Sequence, residues 1–240
     1  MLCREPTPSF YSRNCRGLQN PDEFFAFHSS HLGISEKASC LSHFAHYTTQ
    51  MQVLDTLVRD VKIIQPHRFE DSRGWFAEVF NQSTFSAAGL PSHFLQDNQS
   101  FSLQGVLRGL HYQLDQPQGK LVRVLSGHIW DVAVDLRRNS PDFGKWAGFH
   151  LKSPSPTHPL ELLWIPEGFA HGFLVLSESA EVLYKTTNPY HPAGERTILW
   201  NDPTLNITWP LDALNGASLA VSPKDERGAL FTTADLPPTT

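Results

Sequence analysis

The run Arg108-Gly109-Leu110-His111-Tyr112-Gln113, followed by Lys120, sets a titratable base between two cations on one short stretch of chain. A second histidine lies downstream in Pro166-Glu167-Gly168-Phe169-Ala170-His171-Gly172-Phe173. An imidazole titrates near neutrality, so it can take up a proton at physiological pH. An Arg fork and a Lys ammonium suit an anion or a negative charge that develops during a reaction. Together these residue types point to proton transfer on an anionic small molecule.

Such groups need a scaffold that holds them face to face, and the sequence around them is strongly β-patterned. From about residue 53 to 210, short apolar-alternating runs are punctuated by Gly74, Gly105, Gly109, Gly119, Gly127, Gly144, Gly148, Gly168 and Gly172, the pattern of a sandwich or barrel. Residues 120–137 read as a hairpin with Ser126-Gly127-His128 as its turn. Its second arm places Trp130, Val132, Val134 and Leu136 on one face, and Ile129, Asp131, Ala133 and Asp135 on the other. If the second face is interior, Asp131 belongs to a pocket; if it is exterior, both aspartates are solvated. Further strands are expected at 145–152, 161–165, 172–176 and 180–187. Pro154, Pro156 and Pro159 mark a loop, because proline cannot serve a central ladder. Helix is scarce, with a turn or two at 82–88 and a short one at 211–215, and residues 227–240 read as frayed. The tryptophans, Trp75, Trp130, Trp146, Trp164, Trp200 and Trp209, are assigned to core or rim packing. The expected class is all-β with a few short helices.

The 240 residues are 40% hydrophobic and 18% charged, ordinary values for a globular protein. A net charge of -5 argues against nucleic acid as the main partner, since phosphate neutralisation wants a basic face. No run approaches the roughly 18 consecutive apolar residues of a membrane helix, so no membrane partner is expected. Arg4 is not followed by the apolar segment of a secretory signal, which makes the cytoplasm the default location. Cys3, Cys15 and Cys40 all fall in the first fifty residues, an odd count with no metal-like spacing. Residues 1–50 are rich in Ser, His, Pro and Asn and lack periodicity. They are expected to lie outside the fold, either as a flexible tail or as a stretch upstream of a native start at Met51. Residues 51–240 then form the domain.

Pro166-x-Gly168-x-x-His171 resembles half of the second cupin motif, and cupins are double-stranded β-helix jelly rolls. The first cupin motif supplies His-x-His and a Glu to a metal, whereas this chain reads His111-Tyr112-Gln113. Such a metal wants about three His and a carboxylate, and only two His are well placed, so a metal-free pocket is expected. A narrower resemblance follows from many motifs in register. Phe69-Glu70-Asp71-Ser72-Arg73-Gly74, Gln96-Asp97-Asn98, Arg108 to Gln113, Gln118-Gly119-Lys120-Leu121-Val122-Arg123 and Asp131 to Arg137 occur in the order and spacing of the dTDP-4-dehydrorhamnose 3,5-epimerase family. So do Ile165 to Phe173, Leu183-Tyr184-Lys185, Trp200-Asn201-Asp202-Pro203 and Trp209-Pro210. The similarity runs from roughly 53 to 230.

The resemblance implies a cupin-type jelly roll with no cofactor. It also implies epimerisation of dTDP-4-dehydro-6-deoxy-D-glucose at C3 and C5 to dTDP-4-dehydro-L-rhamnose. Alternatives are a single-site epimerase at C3 or C5, a ketoisomerase of a related sugar, or a metal-binding cupin. By that resemblance His111 is the base, Asp225 the carboxylate that orients it, Lys120 the cation beside the enolate, and Tyr184 the acid on the other face. Arg73 and Arg108 match the diphosphate positions, Phe69 and Tyr190 the stacking pair, and Glu78, Gln96 and Asn98 the polar contacts to the base. Lys224 and His171 resemble pocket residues, and Asp131 either contacts substrate or orients His171. The segment carrying Phe69, Arg73 and Glu78 is implied to reach into a partner's site, which makes the enzyme a homodimer with exchanged N-terminal strands. One departure is Pro189, where the family leads one to expect an aromatic. It restricts Asn188 to extended conformations and leaves the position of Tyr190 intact.

Overall fold

The computed structural model of the chain describes residues 51–237, and the expectations for residues 1–50 lie outside them. Fourteen strands dominate the described residues, as the alternating pattern predicts. One sheet runs, in spatial order, β1 (Gln52–Asp55), β2 (Lys62–Gln65), β10 (Leu162–Ile165), β7 (Lys120–Ser126), β12 (Ser179–Thr186) and β5 (Gln96–Leu103). The second runs β13 (Glu195–Thr197), β6 (Val106–Gln113), β11 (Phe169–Val175), β8 (His128–Asp135) and β9 (Trp146–Lys152), with β14 (Ala220–Val221) parallel to β6. A small hairpin, β3 (Phe69–Asp71) with β4 (Gly74–Phe76), stands apart from both. The fold is the cupin-type jelly roll.

Three apolar layers explain why so many strands read as apolar on both faces. Between the sheets lie Val122 and Val124 of β7, Leu163 and Ile165 of β10, Phe169 and Phe173 of β11, and Ile129 and Ala133 of β8. The outer face of the second sheet, with Leu107, Leu110, Val132 and Val134, is covered by Ile198, Leu205, Ile207, Trp209 and Leu214 from the C-terminal segment. The outer face of the first sheet, with Ile64, Leu121, Leu162 and Trp164, is covered by Phe85 and Leu90 around helix α1 (Gln82–Ala87). That helix is capped by the Asn81 side chain, which accepts from the amides of Ser83 and Thr84.

Two expectations are corrected. Residues 120–137 are not a hairpin: β7 pairs with β10 and β12, while β8 pairs with β11 and β9 in the opposite sheet. Gly127 (φ +86°) turns the chain across the sandwich at a point where any side chain would run into the Ser179 carbonyl. Both arms can then be buried on two faces, which a free hairpin could not achieve. The second correction concerns the C-terminus. Residues 227–237 are docked rather than frayed: Phe231, Ala234 and Leu236 pack on the outer layer, and the Tyr112 hydroxyl donates to the Asp235 carbonyl. Among the tryptophans, Trp75 alone departs from the assignment, being 47% exposed on β4.

Candidate active site

A cavity of about 330 Å³ opens between the two sheets. The first sheet contributes Gln96, Asn98 and Ser100 from β5, Lys120 from β7 and Tyr184 from β12; the second contributes Arg108 and His111 from β6, His171 from β11 and Glu195 from β13. Arg108 and His111 are three residues apart, and an unbroken strand would point them to opposite faces. A bulge resolves this. Phe173 pairs with Arg108 and His171 with His111, so two steps on β11 match three on β6. The extra residue restores both side chains to the cavity. Gly109 (φ +126°) makes the bulge possible, since an added Cβ there would lie 2.5 Å from the Gly172 Cα.

The bulge also sets what His111 meets. Asp225, on the four-residue helix α2 (Pro223–Glu226), accepts from His111 Nε2 at 2.6 Å through Oδ1 and from the Gly109 amide at 3.3 Å through Oδ2. Burial pushes the Asp225 carboxyl up, but the bonds from His111, Gly109 and Ser222 outweigh it and hold the group below its ordinary range. An ionised Asp225 leaves the Nε2 proton on His111 and its other nitrogen, Nδ1, as the acceptor. Lys120, 7% exposed, donates from Nζ to the His111 carbonyl at 3.3 Å. Burial pulls its ammonium down to about 8, against the opposing pull of Asp131 and Glu195. Tyr184 is pushed up, first by burial, so its phenol keeps its proton.

Asp131 is interior and fully buried. Both its oxygens sit 2.9–3.0 Å from His171 Nε2, which decides between the pocket and solvated alternatives. Asp135 is buried as well, held by Arg137 and Ser140. Burial dominates at His171 and lowers its affinity for a proton despite Asp131. The polar row of β5 is largely committed: Gln96 donates to Asn98 at 2.7 Å, and Arg108 Nε donates to Ser102 at 3.0 Å. At the mouth, the Tyr190 amide donates to the Gln96 side chain, the Tyr190 hydroxyl donates to Glu195, and Lys224 pairs with Glu195.

Eight of the residues singled out from sequence therefore line one cavity: Gln96, Asn98, Arg108, His111, Lys120, His171, Tyr184 and Tyr190. Asp225 and Asp131 stand directly behind the two histidines. Phe69, Arg73 and Glu78 do not line the cavity of their own chain. Arg73 pairs with Asp71 on the exposed β3–β4 hairpin, and Glu78 accepts from Asn81. Sequence reasoning missed Glu195 and Ser100. Ser100 was hidden by a polar alternation that also suits a solvated edge strand, and Glu195 by its isolation in a three-residue strand.

The donor set does not fit a cupin metal. His111 and His171 are paired across β6 and β11, and with Nε2 of each held by a carboxylate they offer one nitrogen apiece, two donors where such a metal wants about four. Gln113, in place of the further histidine, is spent on the Gln116 and Pro189 carbonyls and the His191 amide. Among the described residues no group of three or more His, Cys, Asp or Glu is arranged to hold a metal ion.

Comparison with known proteins identifies the family of the chain. The family model described as dTDP-4-dehydrorhamnose 3,5-epimerase matches residues 55–233. The enzyme of that name from Pseudomonas aeruginosa is 52% identical over 77% of this chain and 98% of its own length. The one from Neisseria gonorrhoeae is 48% identical over 77% of this chain, which spans about half (54%) of that longer protein. A solved structure of a Legionella pneumophila dTDP-6-deoxy-D-glucose-3,5-epimerase, in complex with dTDP-4-keto-L-rhamnose, superimposes with a TM-score of 0.73 at 45% identity, covering 80% of this chain and all of that one. The chain belongs to the dTDP-4-dehydrorhamnose 3,5-epimerase family.

Proposed function

We propose that this enzyme epimerises dTDP-4-dehydro-6-deoxy-D-glucose at C3 and C5 to dTDP-4-dehydro-L-rhamnose. The observation that carries the reading is that His111, backed by Asp225, and Tyr184 line one cavity from opposite sheets, with Lys120 Nζ donating to the His111 carbonyl. The C4 ketone acidifies the protons on C3 and C5. His111 Nδ1 takes the proton, and the C–H electrons move through the ring carbon to the ketone oxygen as an enolate. The Lys120 ammonium faces that developing charge in a site with little water to screen it. The Tyr184 hydroxyl returns a proton from the opposite face, inverting the centre, and the phenolate is reprotonated before the next turn. The ketone supplies the acidity, so the chemistry asks for no cofactor.

Arg108 suits the diphosphate, and Tyr190, Gln96 and Asn98 suit the thymine and its edges. We assign the rest of the nucleotide site to a second copy of the chain. The hairpin bearing Phe69 and Arg73 exposes Trp75 and Phe76 (67%) and lies off its own cavity, which supports a homodimer with exchanged strands. A nucleoside diphosphate sugar is a product of intracellular nucleotide chemistry, so this reading assigns the enzyme to the cytoplasm. No helix among the described residues is long and apolar enough to cross a membrane.

The test is incubation with dTDP-4-keto-6-deoxyglucose in deuterated water followed by NMR. Deuterium at both C3 and C5 is expected. Label at one centre would reassign the enzyme as a single-site epimerase, and none would reject the activity. Mixing Arg73→Ala and His111→Ala proteins tests the exchange: one intact site per dimer should restore part of the activity, and no recovery would reject the shared site.

A further inference from the structure

Among the described residues, Glu195 is the one carboxylate lining the cavity. A carboxylate in a pocket for a diphosphate repels its ligand unless something else needs the charge. Its side chain is mostly buried, and it grips two exposed groups at the mouth. The Tyr190 hydroxyl donates to Oε2 at 2.8 Å, and Lys224 Nζ lies 2.5 Å from the same oxygen. Lys224 is the neighbour of Asp225 on α2. A four-residue helix cannot repay its nucleation cost, so its tethers decide where it sits. Asp225 ties one side of α2 to His111 and Gly109 on β6, and Lys224 ties the other to Glu195 on β13. The strands β13 and β6 are themselves paired, with Thr197 opposite His111 and Glu195 opposite Gln113. Base, orienting carboxylate and Glu195 thus sit in one closed frame.

We propose that Glu195 is a positioning residue: through Lys224 it seats α2, and so sets the Asp225 carboxylate that orients His111, while it also holds the Tyr190 ring at the mouth. This rests on the epimerase reading for its kinetic consequences but not for its geometry. The charges agree with it. Burial pushes the Glu195 carboxyl up, yet Lys224, Tyr190 and the nearby His111 outweigh that and hold it below its ordinary range. The same carboxylate reaches Lys120, which faces Asp131 from β8, His171 from β11 and His111 from β6 as well.

The experiment compares wild type with Glu195→Ala, Glu195→Gln, Glu195→Asp and Lys224→Met. The low-field proton NMR signal of the His111–Asp225 hydrogen bond needs no substrate and reads the seat of α2 directly. Glu195→Ala is expected to lose this signal and to lower kcat on the order of ten- to a hundred-fold, as misplaced catalytic groups do. Glu195→Asp should recover part of both. The double variant Glu195→Ala/Lys224→Met should lose less than the product of the two single losses, since the two share the path through α2. Glu195→Gln should move the alkaline limb of kcat to lower pH, because Lys120 loses a charge that helps it keep its proton. A Glu195→Ala protein that keeps the signal and kcat and changes only KM would overturn the proposal and make Glu195 a substrate contact alone. A wild type without turnover whose signal still depends on Glu195 would sink the epimerase reading and leave the positioning role standing.

Discussion

Lys120→Met should make this protein more stable and nearly inactive at once. The side chains are similar in length, so the change removes a buried charge while filling most of the same space. In the unfolded chain Lys120 holds its proton up to about 10.5, and in the fold only up to about 8. That difference corresponds to roughly 3 kcal/mol of destabilisation carried at neutral pH, each unit being about 1.4 kcal/mol. Loss of the Nζ hydrogen bond to the His111 carbonyl returns about 1 kcal/mol, leaving a net gain near 2 kcal/mol. For a domain of this size that is a rise in Tm of roughly 4–8 °C. The sign with pH follows from proton counting. Between about 8 and 10.5 the unfolded chain binds more protons at Lys120 than the fold does, so the wild type gains stability as pH rises through that window. The Met variant has no such gain. Urea melts of both proteins at pH 7 and pH 10 read the difference, which isolates this residue from other titrations. Turnover at pH 7 should drop by about 10²–10³, the usual cost of one group stabilising an oxyanion. A Met variant less stable than wild type at pH 7, or a gap between the two that does not narrow as pH rises, would refute the reasoning.

Further outcomes are expected along the same lines. Asp225→Asn should cost on the order of 10²–10⁴ in kcat, the share of a general base. Its amide cannot accept from both His111 and the Gly109 amide, and turning its NH₂ toward Nε2 puts the proton on Nδ1, where it blocks the base. Activity within a few-fold of wild type would remove Asp225 from the catalytic machinery. Tyr184→Phe should retain hydrogen exchange at substrate carbon while inverting it slowly, seen as deuterium uptake outrunning product in NMR. Gly109→Ala adds strain at φ +126° and a clash with Gly172, so it should lower stability by about 1–3 kcal/mol and abolish turnover by closing the bulge. Wild-type kcat should fall above about pH 8 as Lys120 loses its proton, and a flat profile to pH 9.5 would argue against a cationic Lys120 at the enolate.

Much of this molecule is legible in its chain. Period-two alternation and glycine punctuation predict an all-β body, because strands carry their burial pattern locally. His111, Lys120, Tyr184 and His171 stand in short motifs whose spacing survives folding, so their chemistry can be read before their geometry. The tertiary structure decided the rest. It sent β7 and β8 to opposite sheets, where each pairs with two other strands. It chose the interior for Asp131, a choice that alternation alone leaves open. Arg108 and His111 share a wall only because a bulge, anchored by the contact of Gly109 with Gly172, inserts one residue into β6. Asp225 reaches His111 across 114 residues of chain, and Glu195 meets Lys224 through strand pairing and a short helix. Sequence determines which groups exist and which local shapes they prefer. Which of them touch is decided by long-range packing, where no local pattern carries the information.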